Sequence, residues 1–230
     1  MKSRLALGVG ALLCVGGFVA GVSGSFAQEA KIGSASITLT SPKGQCRLSN
    51  ETDNALISRM RELVGDGNQL LAVYSDCDEL AQVRSGKREE FNEFSTYLTD
   101  KFNLNAVAGP NDLAKICAII RAKSDQDVAE FVKMRLADVE RLLAKLRYQF
   151  LGVLAEESAA CYWGNLQKFS TPAGTEKLQA AVSAMVVLKG KVVQYHLYAP
   201  YRGTDTIPDL LGRHQDNVAA VIAANGGQSF

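Results

Sequence analysis

Two histidines, one tryptophan and five scattered cysteines are nearly all that this 230-residue sequence offers to site chemistry. No C-x-x-C pair occurs, so a zinc or thiol-redox centre lacks its usual spacing. Neither H-E-x-x-H nor G-x-S-x-G is present, which removes the common handles of a metallopeptidase or serine hydrolase. The acidic run Asp76, Asp78, Glu79 lacks the D-x-D-x-D-G order of a calcium loop and reads as the acidic first turn of a helix. An excess of charge of one sign is missing too. Lys plus Arg number 25 and Asp plus Glu 24; without the N-terminal Lys2 and Arg4 the balance is 23 − 24 = −1. Such a balance selects neither nucleic acid nor an anionic membrane as partner.

What is present begins with a leader. Lys2 and Arg4 precede an uncharged apolar stretch over 5–20, and Ser25 and Ala27 supply the small residues that a signal peptidase reads. Residues 1–27 are therefore expected to be a signal peptide cleaved after Ala27. The 18 uncharged residues of 5–22 reach the lower limit of a membrane span, but glycines at 8, 10, 16, 17 and 21 weaken such a helix. No stable membrane span is expected after cleavage, and the location is periplasmic or secreted. Residues 28–34 read as a flexible mature end and 35–230 as one domain, a length suited to a single core.

Four cysteines follow the leader: Cys46, Cys77, Cys117 and Cys161. An even count in an exported chain is compatible with two disulfides, and four cysteines allow three pairings. Cys46 follows ASITLTSPKG and Cys77 follows QLLAVYSD, so a Cys46 to Cys77 bridge is expected if those two strands are neighbours. Cys117 shares an apolar helical face with Leu113, Ile116 and Ile120 and reads as a buried free thiol. The pairing of Cys117 and Cys161 stays open at this point.

The chain is organised around 182–200, two β-rich arms joined at Lys189-Gly190, where a two-residue turn is expected. Val182, Ala184, Val186 and Leu188 fall on one face and Met185 and Val187 on the other. A strand apolar on both faces needs cover on both sides. Ahead of it the pattern predicts a strand over 35–40, a helix over 52–64 capped by Thr52 or Asp53, and a strand over 69–75. A helix over 78–84 and a strand over 91–98 follow. The longest helical pattern runs from Leu113 to about Phe150, with Val128, Phe131, Val132, Leu136, Val139, Leu143, Leu146 and Phe150 on one face. Strand, turn and strand follow over 151–164, then a short helix or loop over 175–181, and after the central hairpin a last helix from Thr206 to Asn225.

His214 lies three residues after Leu211 and four before Val218, on the apolar side of that helix, which suits a core histidine. His196 shares a strand face with Tyr198 and reads as a buried ring bonded to a backbone carbonyl.

The hairpin G-V-L-x-E-E-S at 152–158 and the closing K-G-K hairpin at 189–191 followed by a helix resemble small exported bacterial proteins of uncharacterised function. The element order is also distantly similar to PsbP-like domains. That resemblance implies an α+β fold, an antiparallel sheet between helices in three α/β/α layers, and a non-catalytic role. The expected function is an exported binding or envelope-accessory protein whose partner is an unknown protein or small molecule, with no cofactor, no catalytic residues and no metal site. The alternative is a periplasmic enzyme using His196 or His214.

Overall fold

The computed structural model describes residues 27–122, 148–170 and 174–227. Residues 1–26 of the expected signal peptide over 1–27, and the apolar stripe from Val128 to Leu146, lie outside the described residues. Among the described residues nine strands and four α-helices follow one another as β1 (Gln28–Ile32), β2 (Ala35–Leu39), β3 (Gln45–Arg47), α1 (Asn54–Val64), β4 (Asn68–Asp76), α2 (Cys77–Arg84), β5 (Phe94–Asp100), α3 (Pro110–Ala122), β6 (Tyr148–Glu157), β7 (Ala160–Ser170), β8 (Glu176–Leu188), β9 (Lys191–Pro200) and α4 (Thr206–Ala224). This is an α+β chain. Seven strands form one antiparallel sheet in the order β3-β4-β5-β9-β8-β7-β6, while β1 and β2 form a separate ribbon.

The β8–β9 hairpin supplies two of the inner strands because both of its faces are apolar enough to be covered. Its turn has positive φ at both central residues, 49° at Lys189 and 76° at Gly190, the twist that a two-residue hairpin turn demands. On one face Ala184, Val186, Leu188, Val193 and Tyr195 pack with Val218 and Val221 of α4 and with Ile32, Ile37 and Leu39 of the ribbon. On the other, Val187 and Cys161 pack with Leu113 and Cys117 of α3, and Val73 packs with Ile57 of α1 and Leu80 of α2. The α4 face carries a chain of aromatic contacts. Tyr74 meets Tyr97 edge-on, Tyr97 stacks on Tyr195 at 4.5 Å, and Tyr195 and Tyr162 both contact the His214 ring.

Several local expectations change. Residues 28–32, expected to be loose, form β1 because alternate residues of the short polar end pair their backbone groups with β2, and Ala30 and Ile32 are buried. The strand expected at 35–40 accordingly belongs to the ribbon, and Cys46 sits in its own short strand, β3. Residues 176–181 continue β8 instead of forming a helix or loop, since they complete the ladder to Ser170 on one side and Pro200 on the other. Tyr148 to Phe150 are strand, not the end of a helix, paired with Gln167 to Asn165. The strand expected from Phe91 begins at Phe94.

Capping also differs from expectation at α1. Asp53 stands at the N-cap, but its carboxylate makes no cap bond. It accepts instead from the Ser49 amide, the Thr52 hydroxyl and two nitrogens of Arg84, at 2.7 to 3.0 Å. The hydrogen bond from Arg84 holds the Asp53 carboxyl below its usual range. At α2 the acidic run does cap: Asp76 accepts from the amides of Asp78 and Glu79. Glu79 in turn binds the amides of Asn92 and Glu93 and the Arg88 guanidinium.

Candidate functional site

The face of the sheet turned toward α3 carries a transverse row of side chains assembled by strand register alone. Trp163 of β7 is paired with Ser183 of β8, Ser183 with His196 of β9, and His196 with Thr96 of β5. Cross-strand partners on one face lie about 5 Å apart at Cβ, so four strands bring these groups into contact. Ser183 Oγ is 2.7 Å from His196 Nδ1, and the Trp163 ring meets the imidazole edge-on with centroids 6.1 Å apart. His196 Nε2 and Thr96 Oγ1 are both shut off from solvent and have no hydrogen-bond partner among the described residues.

Next to this row is a cavity of about 380 Å³ between α3 and the sheet, lined by Ile116, Ile119, Ile120, Phe150, Trp163 and Met185. Each wall has a local reason. The three isoleucines recur at three- and four-residue steps along α3. Met185 is the next residue after Ser183 on the same face of β8, and Trp163 and Phe150 come from the adjoining strands. The cavity therefore shares Trp163 with the polar row, and Met185 stands one same-face step along β8 from Ser183.

Burial pushes the His196 imidazole down to about 4, so it is neutral at pH 7. Nucleophilic chemistry needs an exposed serine and a base oriented by a third group. Ser183 has no exposed surface, and the second ring nitrogen of His196 has no orienting partner among the described residues. The arrangement can hydrogen-bond a buried group, but it does not present a nucleophile to solvent.

His214 lies on the opposite face of the sheet. Its Nε2 donates to the Tyr195 carbonyl at 3.0 Å, and burial pushes its pKa down to about 3. The two histidines therefore belong to separate environments and form no joint constellation. The carbonyl bond expected for His196 is made by His214, because α4 brings His214 against β9 whereas His196 faces the Ser183 hydroxyl across the hairpin.

Cys46 is joined to Cys77, with Cα atoms 4.8 Å apart, and Cys117 to Cys161, with Cα atoms 5.7 Å apart. Cys117 is thus not the free thiol expected, since α3 packs over β7 on the face to which Cys161 points. Glu156 lies beside this second bridge and is ion-paired to Arg121. Cys117, Cys161 and Glu156 are the one group of potential metal donors close together among the described residues. Two of these three donors are committed to the disulfide, and a bridged sulfur is not a thiolate ligand.

Ser183, Thr96, Trp163, Met185 and the α3 isoleucines were not legible as a site from residue type. One signal did exist. A two-residue turn pairs Leu188 with Lys191, and five steps outward along each arm the partners are Ser183 and His196. No protein-family model matches the chain, and no curated protein sequence matches it.

Proposed function

We propose that the chain is an exported, non-catalytic binding protein of the periplasm or cell exterior whose ligand is a small, mainly apolar molecule seated between α3 and the sheet. The observation that carries this reading is the cavity of about 380 Å³, walled among the described residues by six apolar side chains. Its size falls within the range of small-molecule sites, roughly 300 to 1,000 Å³, and its lining offers the apolar burial that drives such binding. The two disulfides fit an oxidising compartment, and no helix among the described residues is long and apolar enough to cross a membrane. An α/β/α layering akin to PsbP-like domains belongs to the same proposal and is compatible with helices packing on both faces of the antiparallel sheet.

Trp163 is the only tryptophan of the chain, so tryptophan fluorescence is read from a wall of this cavity. Titration of the mature protein with n-alkanols should shift Trp163 emission saturably. Ile119→Asp, at a rim residue 57% exposed, should weaken the response tenfold or more without unfolding the protein. An unsaturable or unchanged signal with every alkanol would reject the reading. The enzyme alternative draws on the Ser183–His196 contact alone, and turnover of an identified substrate lost in a folded His196→Gln protein would favour it.

A further inference from the structure

We infer that the ligand carries a neutral oxygen group, a hydroxyl or a carbonyl, which docks on His196 Nε2 and Thr96 Oγ1 while its apolar body fills the cavity beside α3. This rests on the cavity reading above and specifies the class of ligand: an uncharged amphiphile with one polar end.

The basis is a pair of unsatisfied polar atoms in one place. Buried polar groups are nearly always hydrogen-bonded, and leaving one unpaired is costly. Here two such atoms sit on directly paired residues of β5 and β9, and Thr96 is only 2% exposed. Trp163 links them to the apolar cavity, since it lines the cavity and contacts the imidazole, and Met185 of the cavity wall is the same-face neighbour of Ser183. An apolar pocket with a few convergent polar groups is the usual design of a small-molecule site, the former supplying affinity and the latter orientation.

The charge of the ligand follows from the surroundings. The imidazole is neutral at pH 7, because desolvation holds its pKa near 4. Among the described residues the cavity walls and the row Trp163, Ser183, His196 and Thr96 include no Lys or Arg, so a carboxylate or phosphate entering here would lose its hydration without gaining a counter-ion from them. A hydroxyl suits either imidazole tautomer, since it can accept from Nε2–H or donate to a bare Nε2, and the Thr96 hydroxyl can take the complementary role. Met185 is unbranched and flexible, which allows the wall between the cavity and the polar row to yield to an entering group.

The test uses ligands matched in length: octan-1-ol, n-octane and octanoate, titrated at pH 7 against the mature protein with Trp163 fluorescence as readout. The alcohol is expected to bind at least about tenfold more tightly than the alkane and more tightly than the carboxylate. Thr96→Val, which keeps the shape of the side chain, and His196→Phe are expected to bring the ratio of alcohol to alkane affinity toward one. Nitrogen NMR of the unaltered protein provides a reading independent of those variants: the His196 Nε2 resonance should move with octan-1-ol and stay put with n-octane. Equal affinities for alcohol and alkane, tighter binding of octanoate, or an unmoved Nε2 resonance would overturn the inference while leaving the apolar cavity reading intact. Absence of binding by all three ligands would overturn both.

Discussion

At the scale of single residues, the two histidines act on stability through the protons they exclude. Desolvation holds His196 to about 4 and His214 to about 3, against an ordinary value of 6.5. Below pH 6.5 the unfolded chain therefore binds protons that the folded chain refuses. Stability from these rings is complete above about pH 6.5 and is lost progressively as pH falls toward the folded values, by about 1.4 kcal/mol per pH unit for each ring in that window. Urea midpoints measured between pH 7.5 and 4.5 should fall accordingly, and His214→Gln should remove roughly half of that slope. A slope unchanged in His214→Gln would show that carboxylates dominate the window. Near neutrality the same rings serve as uncharged hydrogen-bonding groups, His214 holding α4 to β9 and His196 facing the cavity's polar border.

Elements are held in place by two kinds of restraint, covalent and steric. The bridges Cys46–Cys77 and Cys117–Cys161 close separations of 31 and 44 residues, and each restricts the unfolded chain by about 4 kcal/mol in the entropy model. The first ties β3 to the start of α2, and the second ties α3, one wall of the cavity, to β7. Cys46→Ser with Cys77→Ser is expected to lower unfolding free energy by about 3 to 4 kcal/mol, read from urea curves. Non-reducing peptide mapping should recover these two pairs and no other.

The ribbon is positioned sterically. Gly33 has φ of 57°, and a Cβ there would lie 2.4 Å from the Leu104 carbonyl oxygen, a backbone atom that cannot turn aside. Gly33→Ala should therefore cost about 2 kcal/mol or more, measured as a fall in thermal midpoint, because it combines left-handed strain with a backbone clash. The other end of the ribbon is held by Asn225, the residue after α4, whose amide donates to the Thr38 carbonyl and accepts from the Thr38 amide as another strand would.

At the scale of the whole molecule, the amino-acid sequence by itself determined the central hairpin, the faces to which its residues point, the last helix and its stop, and the absence of any familiar catalytic spacing. These are local properties: period-two alternation, a Lys-Gly turn and a helix end at Asn225-Gly226 are written within a few residues of one another. The tertiary structure alone decided that 28–32 is a strand, that 176–181 extends β8, and that Cys117 reaches Cys161. Each depends on a partner far away in the chain, and a polar or ambiguous segment becomes a strand when a neighbour can satisfy its backbone. The candidate site is the extreme case. Thr96, Trp163, Ser183 and His196 come from four strands that are consecutive in space as β5, β9, β8 and β7 but not in sequence. Residue type marked His196 alone, and the turn arithmetic could add Ser183. Only the antiparallel register across the sheet placed Thr96 and Trp163 beside them, and only the packing of α3 over that face left an apolar cavity next to two unpaired polar atoms.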